Sequence, residues 1–420
     1  MHHDIINGIF IGKLVEDYGS PLFIVSAEGL RKNLKAFREA FSTRFPKVEV
    51  AYSYKTNCLL GVLNIIHKSG VWADVASGFE YDLARALGVS GGSIVFNGPG
   101  KKREELRRAV EEGAFINADH LDEIKLLEAI ASEMGRTIDL GIRINVDVGI
   151  HQSPDRFGFN LESGEAFRVV ERCVVKKLLN IVGIHVHLTS YIIEPCGTEK
   201  DIPARRIRLI WPKSHDMYRE AAKKVVYFAE EIRKKWGVII RYVDLGGGFP
   251  SVDALNSYVE AMVEPILGGF RGQNLPVLIL EPGRAIVRDA IHLITTVVGI
   301  KEFPNGERGV VVDAGINLLP TSFWRWQEIE SVDESQSTEL KETTVYGPLC
   351  LQTDVLGKAR LPVRLRAGDK LVIKNVGAYN IPQSSTFIFP RPAIVLVEDG
   401  KVRLLRRAET VEDVLSLEKF

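Results

Sequence analysis

The chain has 420 residues, 45% hydrophobic and 26% charged, and its 54 basic side chains balance its 54 acidic ones. That length exceeds one small core and predicts two domains. The charge balance argues against a generic nucleic-acid or membrane-surface binder, which needs a basic excess. The four cysteines, Cys58, Cys173, Cys196 and Cys350, form no CxxC pair, so neither a disulfide framework nor a structural zinc site is expected. No basic leader followed by an apolar run and no stretch of ~18 apolar residues is visible. The expected location is the cytoplasm.

In chain order, eight short apolar runs stand out: "VEVAYSYK", "VWADVAS", "SIVFNG", "FINAD", "LGIRINV", "IVGIHVHL", "YVDLGGG" and "VLILEPG". Amphipathic stretches such as "KKREELRRAVEEG" and "HLDEIKLLEAIASEMG" separate them. Near-continuous apolar strands alternating with helices predict a parallel sheet, and this number of units predicts a (β/α)8 barrel. An open doubly wound sheet is the competing reading. After Gly283 the runs become β-rich with turn residues between them, and "EDGK" reads as a hairpin turn. The expected division is a barrel over residues 27–283, with residues 1–26 and 284–420 in an all-β domain. Thr410 with Asp413 reads as the capped start of a short terminal helix.

Barrel enzymes place their chemistry at the C-terminal ends of the strands, and the unusual residues fall there. They are Lys55 and Asn57, Asp74 leading to Glu80, Arg143 and Asn145, His185 and His187, Gly246–Gly248, and Glu281 with Arg284. Each has a bland reading. Lys55 can be a solvated strand end, the glycines a tight turn, and Asp74 with Arg143 an ion pair. His185 and His187 share a strand face and can be core residues or metal ligands. Their convergence is more informative. Pyridoxal phosphate requires an amine for a Schiff base, close backbone amides for phosphate, a carboxylate for the pyridine nitrogen and a flat ring to stack.

On the motifs "YSYKTN", "ADVASGFE", "HVHLTS", "DLGGGF", "EPGR", "GPLC" and "VGAY", the sequence resembles the fold-type III, pyridoxal-phosphate-dependent decarboxylases of diaminopimelate, ornithine and arginine. The likeness runs from "YGSPLFIVS" to "PRPAIVLV" and implies a barrel plus a β-domain. By that resemblance Lys55 is the Schiff-base lysine. Asp74, Glu80 and Arg143 support it and the ring, and His187 stacks on the ring. Ser190, Gly247, Gly248, Gly283, Arg284 and Tyr379 surround the phosphate, and Glu281 faces the ring nitrogen. Cys350 enters from the second subunit of a homodimer and handles the proton at Cα. The implied reaction is α-decarboxylation of an amino acid.

The substrate-reading positions depart from that pattern. The family carries an acid after the "GPLC" cysteine, whereas this chain has Leu351, with Asp354 nearby. In "DAGINLLPTSFWRW" the candidate for the family's arginine is Arg325. A usually polar region reads "QSSTFIF" and contains Phe387. These departures predict a specialised or conjugated amino-acid substrate. The alternative is a genuine meso-diaminopimelate decarboxylase making L-lysine. The rival from another class is a metal-dependent barrel hydrolase using His185 and His187; no metal is assigned here. A racemase of the same cofactor is disfavoured by the acid Glu281. The basic segment Arg205, Arg206 and Arg208 reads as a solvated surface or as a contact for an acidic substrate or carrier.

Overall fold

The computed structural model describes residues 5–6, 9–149, 156–188, 192–195, 207–210, 215–332 and 339–419. Eight parallel strands form a closed ring: β1 (Val48–Ser53), β2 (Trp72–Val75), β3 (Ile94–Phe96), β4 (Phe115–Ala118), β5 (Ile138–Asn145), β6 (Leu179–His185), β7 (Tyr242–Asp244) and β8 (Val277–Leu280). Each pairs with its neighbour in chain order, and β8 returns to β1 through Leu278–Val48 to Leu280–Val50. Buried on both faces, these strands have the apolar continuity that the sequence displays. The open-sheet alternative is thereby excluded.

Helices cover the outside, each turning an apolar stripe inward. Asp216–Trp236 buries Met217, Tyr218, Ala221, Ala222, Val225, Phe228, Ala229 and Ile232, the three-and-four spacing of one helical face. Gly237 ends it in the left-handed conformation at φ 69°.

The second sheet is built around the long strand Ile291–Glu302. It pairs antiparallel with Leu22–Ser26, Arg308–Val312 and Lys370–Lys374. Leu22–Ser26 also pairs parallel with Ile394–Glu398, which turns back into Lys401–Arg406. Asp399 and Gly400 make that turn at φ 48° and 69°, as a two-residue hairpin of this type requires. Thr410 and Asp413 form a capping box before Val411–Leu415.

Two hydrogen bonds bring this sheet's connections to the mouth of the barrel. Asn57 Nδ2 donates to the Gly377 carbonyl at 2.9 Å, and the Tyr379 amide donates to the Thr56 carbonyl at 2.8 Å. Tyr379 is held at φ 67°, a left-handed conformation that costs a non-glycine residue about 1–3 kcal/mol and persists only where its surroundings enforce it.

Candidate active site

Lys55 lies in a single 3₁₀ turn, Tyr54–Thr56, just past β1. Tyr54 and Thr56 are buried on either side, so the intervening side chain projects into the mouth, where 40% of it stays exposed. Its Nζ is 3.2 Å from Asp74 Oδ2 on β2, and Ser53 donates to the same oxygen at 2.7 Å. Burial works against the lysine's charge, but Asp74 and Glu281 outweigh it and hold the amine well above its ordinary range.

Glu281, the first residue past β8, is buried at the centre of the mouth. Its Oε2 lies 3.0 Å from His187 Nδ1, and its Oε1 lies 3.7 Å from His185 Nε2. Burial would raise this acid, yet His185 and His187 reverse the effect and keep it well below the usual carboxylate range. Burial lowers His187, which favours the neutral ring. Asp244 at the end of β7 is pushed in the opposite direction, first by burial and then by Glu281. Two neighbouring carboxyls are therefore pushed apart, Glu281 toward the ionised form and Asp244 toward the protonated one.

Gly246–Gly248 follow β7 at the same height. Gly246 and Gly248 adopt φ 67° and 98°, open to glycine at no steric cost. A Cβ on Gly247 would sit 2.2 Å from the Glu281 carbonyl, and one on Gly283 would sit 2.0 Å from Thr56 Oγ1. Tyr218 donates to the Gly247 carbonyl at 3.0 Å and braces the turn. The Arg284 guanidinium lies 5.8 Å from the Tyr379 ring centre. Bare backbone beside a cation is what an anionic group needs.

The remaining expected residues have other immediate partners. Glu80 accepts the Ala76 amide at 2.7 Å and closes the turn after β2; burial raises its pKa. Arg143 on β5 faces Asp119 at 3.6 Å and lies over the Phe157 ring. Ser190, Arg205 and Arg206 lie outside the described residues, as does the side chain of Arg208. Cys350 and Leu351 are exposed on the second sheet's side, and Cys350 is not among the groups that hold Lys55. Asp354 is buried and accepts the amides of Ile316 and Leu349, each at 2.8 Å. Arg325 is half-buried and Phe387 exposed. The Phe387 carbonyl accepts from Asn317 at 3.4 Å. Pro348 and Phe389 line one cavity of about 500 Å³, so the "GPLC" and "TFIF" segments are neighbours.

Residues not singled out in the sequence complete the floor. Asn97 donates to both Asp74 and Glu281, and Asn117 donates to Asn97. Buried Lys101 pairs with Glu123 at 2.7 Å, and Glu123 accepts the Asp119 amide at 3.1 Å. The available signal was a polar residue closing each apolar run at one height. His185, His187 and Glu281 bring their ligand atoms within 4.8 Å of one another, as the metal reading requires. That reading gives no shared purpose to Lys55, Asp74 and the glycine turns.

The profile of the family described as "Pyridoxal-dependent decarboxylase, pyridoxal binding domain" matches residues 29–204 and 213–288. The diaminopimelate decarboxylases of Bacillus subtilis and Methanocaldococcus jannaschii are each 30% identical to the chain, over 98% of it and 94% of their own length. The solved structure of the M. jannaschii enzyme superposes with a TM-score of 0.87 at 29% identity, covering 99% of this chain and 96% of that one. The Helicobacter pylori enzyme complexed with L-lysine gives 0.82 at 27% identity, covering 97% and 98%. No helix among the described residues is long and apolar enough to cross a membrane. The chain belongs to the pyridoxal-phosphate-dependent amino-acid decarboxylases.

Proposed function

We propose that the chain is a cytoplasmic decarboxylase that removes one α-carboxylate from meso-diaminopimelate and releases L-lysine. The supporting observation is full-length similarity to diaminopimelate decarboxylases combined with a mouth that fits their cofactor. The fit rests on an amine beside a buried carboxylate, a buried anion flanked by imidazoles, and glycine turns that a Cβ would fill.

Lys55 would hold pyridoxal phosphate through its amine. Glu281 would face the ring nitrogen and His187 the ring face. Gly247, Gly248, Gly283, Arg284 and Tyr379 would hold the phosphate. When bound, the cofactor supplies a sink for the electron pair left on Cα as carbon dioxide departs. Asp74 orients the Lys55 amine and keeps it protonated in the free enzyme. The anionic Glu281 favours a proton on the nitrogen it faces. Cys350 from a second copy of the chain would deliver the proton to Cα.

The exposure of Cys350 supports this dimer, as do the exposed apolar side chains Phe323, Leu351, Phe387, Ile388 and Phe389 on the same sheet's connections. Mixing Lys55→Ala with Cys350→Ala protein should restore activity, because one mouth in each mixed dimer keeps both groups. Absence of any rescue would remove the shared site.

A second reading rests on Leu351 and the apolar Phe387–Phe389 segment, which offer no charge to a distal ammonium or carboxylate. It assigns a conjugated or carrier-linked amino acid as substrate. Carbon dioxide release across meso-diaminopimelate, ornithine, lysine, arginine and conjugated amino acids separates the two. Strong turnover of diaminopimelate supports the first reading. A cofactor absorption band with turnover confined to a conjugate supports the second. Under the second reading Leu351→Glu should raise diaminopimelate turnover.

A further inference from the structure

A line of hydrogen bonds crosses the interior of the barrel from β7 to the two acids of the mouth. The Tyr242 hydroxyl donates to Asn117 Oδ1 at 2.9 Å. Asn117 Nδ2 donates to Asn97 Oδ1 at 3.0 Å. Asn97 Nδ2 then donates to Asp74 Oδ1 at 2.8 Å and to Glu281 Oε1 at 2.5 Å. All five residues are buried.

The chemistry fixes the direction of this line. An ionised carboxylate only accepts, so Asn97 must turn its NH₂ toward Asp74 and Glu281, and that group has one hydrogen for each. Its oxygen then requires a donor, which Asn117 supplies. Asn117 in turn requires a donor at its own oxygen, and the Tyr242 phenol supplies it. The barrel makes room for that phenol in sequence. A Cβ on Gly183 would lie 2.0 Å from Tyr242 Cζ, and one on Gly141 would lie 2.3 Å from the Tyr242 hydroxyl. Two glycines at adjacent positions of paired strands β5 and β6 thus admit the ring to the barrel axis.

We propose that Asn97 is a positioning residue that holds the Asp74 and Glu281 carboxyls apart and in fixed orientation for the cofactor, and that Tyr242 locks it in place through Asn117. Without the amide both buried acids lose a shared donor, and Glu281, held low in the intact mouth, takes up a proton more readily. The assignment rests on Asp74 and Glu281 serving pyridoxal phosphate.

The test is a pyridoxal phosphate titration, followed by the visible absorption band and by protein fluorescence, over a pH series. It uses wild type, Asn97→Ala, Tyr242→Phe and the double variant. Asn97→Ala should weaken cofactor binding about tenfold to a hundredfold and move the acid limit of binding up by about one pH unit. Tyr242→Phe keeps the ring volume and should shift the limit in the same direction by less. The double variant should match Asn97→Ala, because Tyr242 acts only through Asn97. Wild-type affinity and an unmoved acid limit in Asn97→Ala would overturn the proposal, and so would additive effects in the double variant. If Asn97→Ala fails to fold, Tyr242→Phe carries the test: a shifted limit supports the proposal and an unshifted one overturns it. Wild type that gives no band would instead refute the cofactor's place at Lys55.

Discussion

The amine of Lys55 and the carboxylate of Asp74 meet at 3.2 Å across β1 and β2, with the lysine partly exposed and the aspartate buried beneath it. The acid is therefore the fixed partner, held also by Ser53 and Asn97, and the amine is the mobile one. Removing the charge while keeping the shape, as in Asp74→Asn, takes away the larger of the two acids that oppose burial and leaves Glu281 against it. The lysine's pKa should fall by more than about one unit, and the apo-protein's Lys55 should become more reactive near neutral pH. The rate of labelling by an amine-specific reagent against pH, with the site read by mass spectrometry, measures this. An unmoved midpoint would show that Asp74 does not control the amine.

Gly283 and Gly247 differ in what an added methyl would strike. At Gly283 it meets the Thr56 hydroxyl, a side chain that can shift, whereas at Gly247 it meets the backbone carbonyl of Glu281. Thr56 also accepts the Tyr379 amide through its own carbonyl, so its displacement reaches a second residue of the mouth. Gly283→Ala should cost about 1–3 kcal/mol, the usual range for overpacking, and weaken cofactor binding. Gly247→Ala should cost more. Thermal denaturation of the apo-protein and a pyridoxal phosphate titration give both quantities. The reverse order would contradict the steric account.

Asp244 and Glu281 make opposite contributions to stability as pH changes. Asp244 is raised in the folded chain, so its contribution is complete below its unfolded pKa and declines as pH rises toward the folded one. Glu281 is lowered, so its contribution is present above its unfolded pKa and is lost as pH falls through the folded one. Asp244→Asn is neutral at every pH. Relative to wild type, its apo-form Tm should rise at neutral and alkaline pH and change little in acid. A gain of the same size at all pH values would place the effect elsewhere.

The barrel was legible because each strand is buried on both faces, which leaves an apolar run, and because each run ends in a polar residue at one height. Lys55, Asp74 and Glu281 stood out because their charges interrupt such runs. Asn97 and Asn117 did not, since an asparagine after a strand reads equally as a turn residue. Tyr242 reads as a core aromatic, and only the closed ring shows that Gly141 and Gly183 face it. Asp354 shows the converse: spacing from Cys350 places an acid nearby, but not that its oxygens accept the amides of Ile316 and Leu349.

Asp354 therefore gives a sharp contrast between bracing and substrate contact. Its two oxygens take the amides of Ile316 and Leu349, and a Cβ on Gly347 would lie 2.2 Å from Oδ2, so the carboxylate is packed inside the turn that presents Cys350. Asp354→Ala leaves two buried N–H groups without an acceptor, at about 1–3 kcal/mol each. The apo-chain should lose several degrees of Tm. Turnover should fall through kcat with KM little changed, because the loop carrying Cys350 loosens. A residue that read the substrate would behave oppositely, with unchanged Tm and raised KM. Asp354→Asn separates the cases further: it keeps the volume and one acceptor, so bracing predicts partial recovery of Tm and kcat together, whereas substrate contact through charge predicts none.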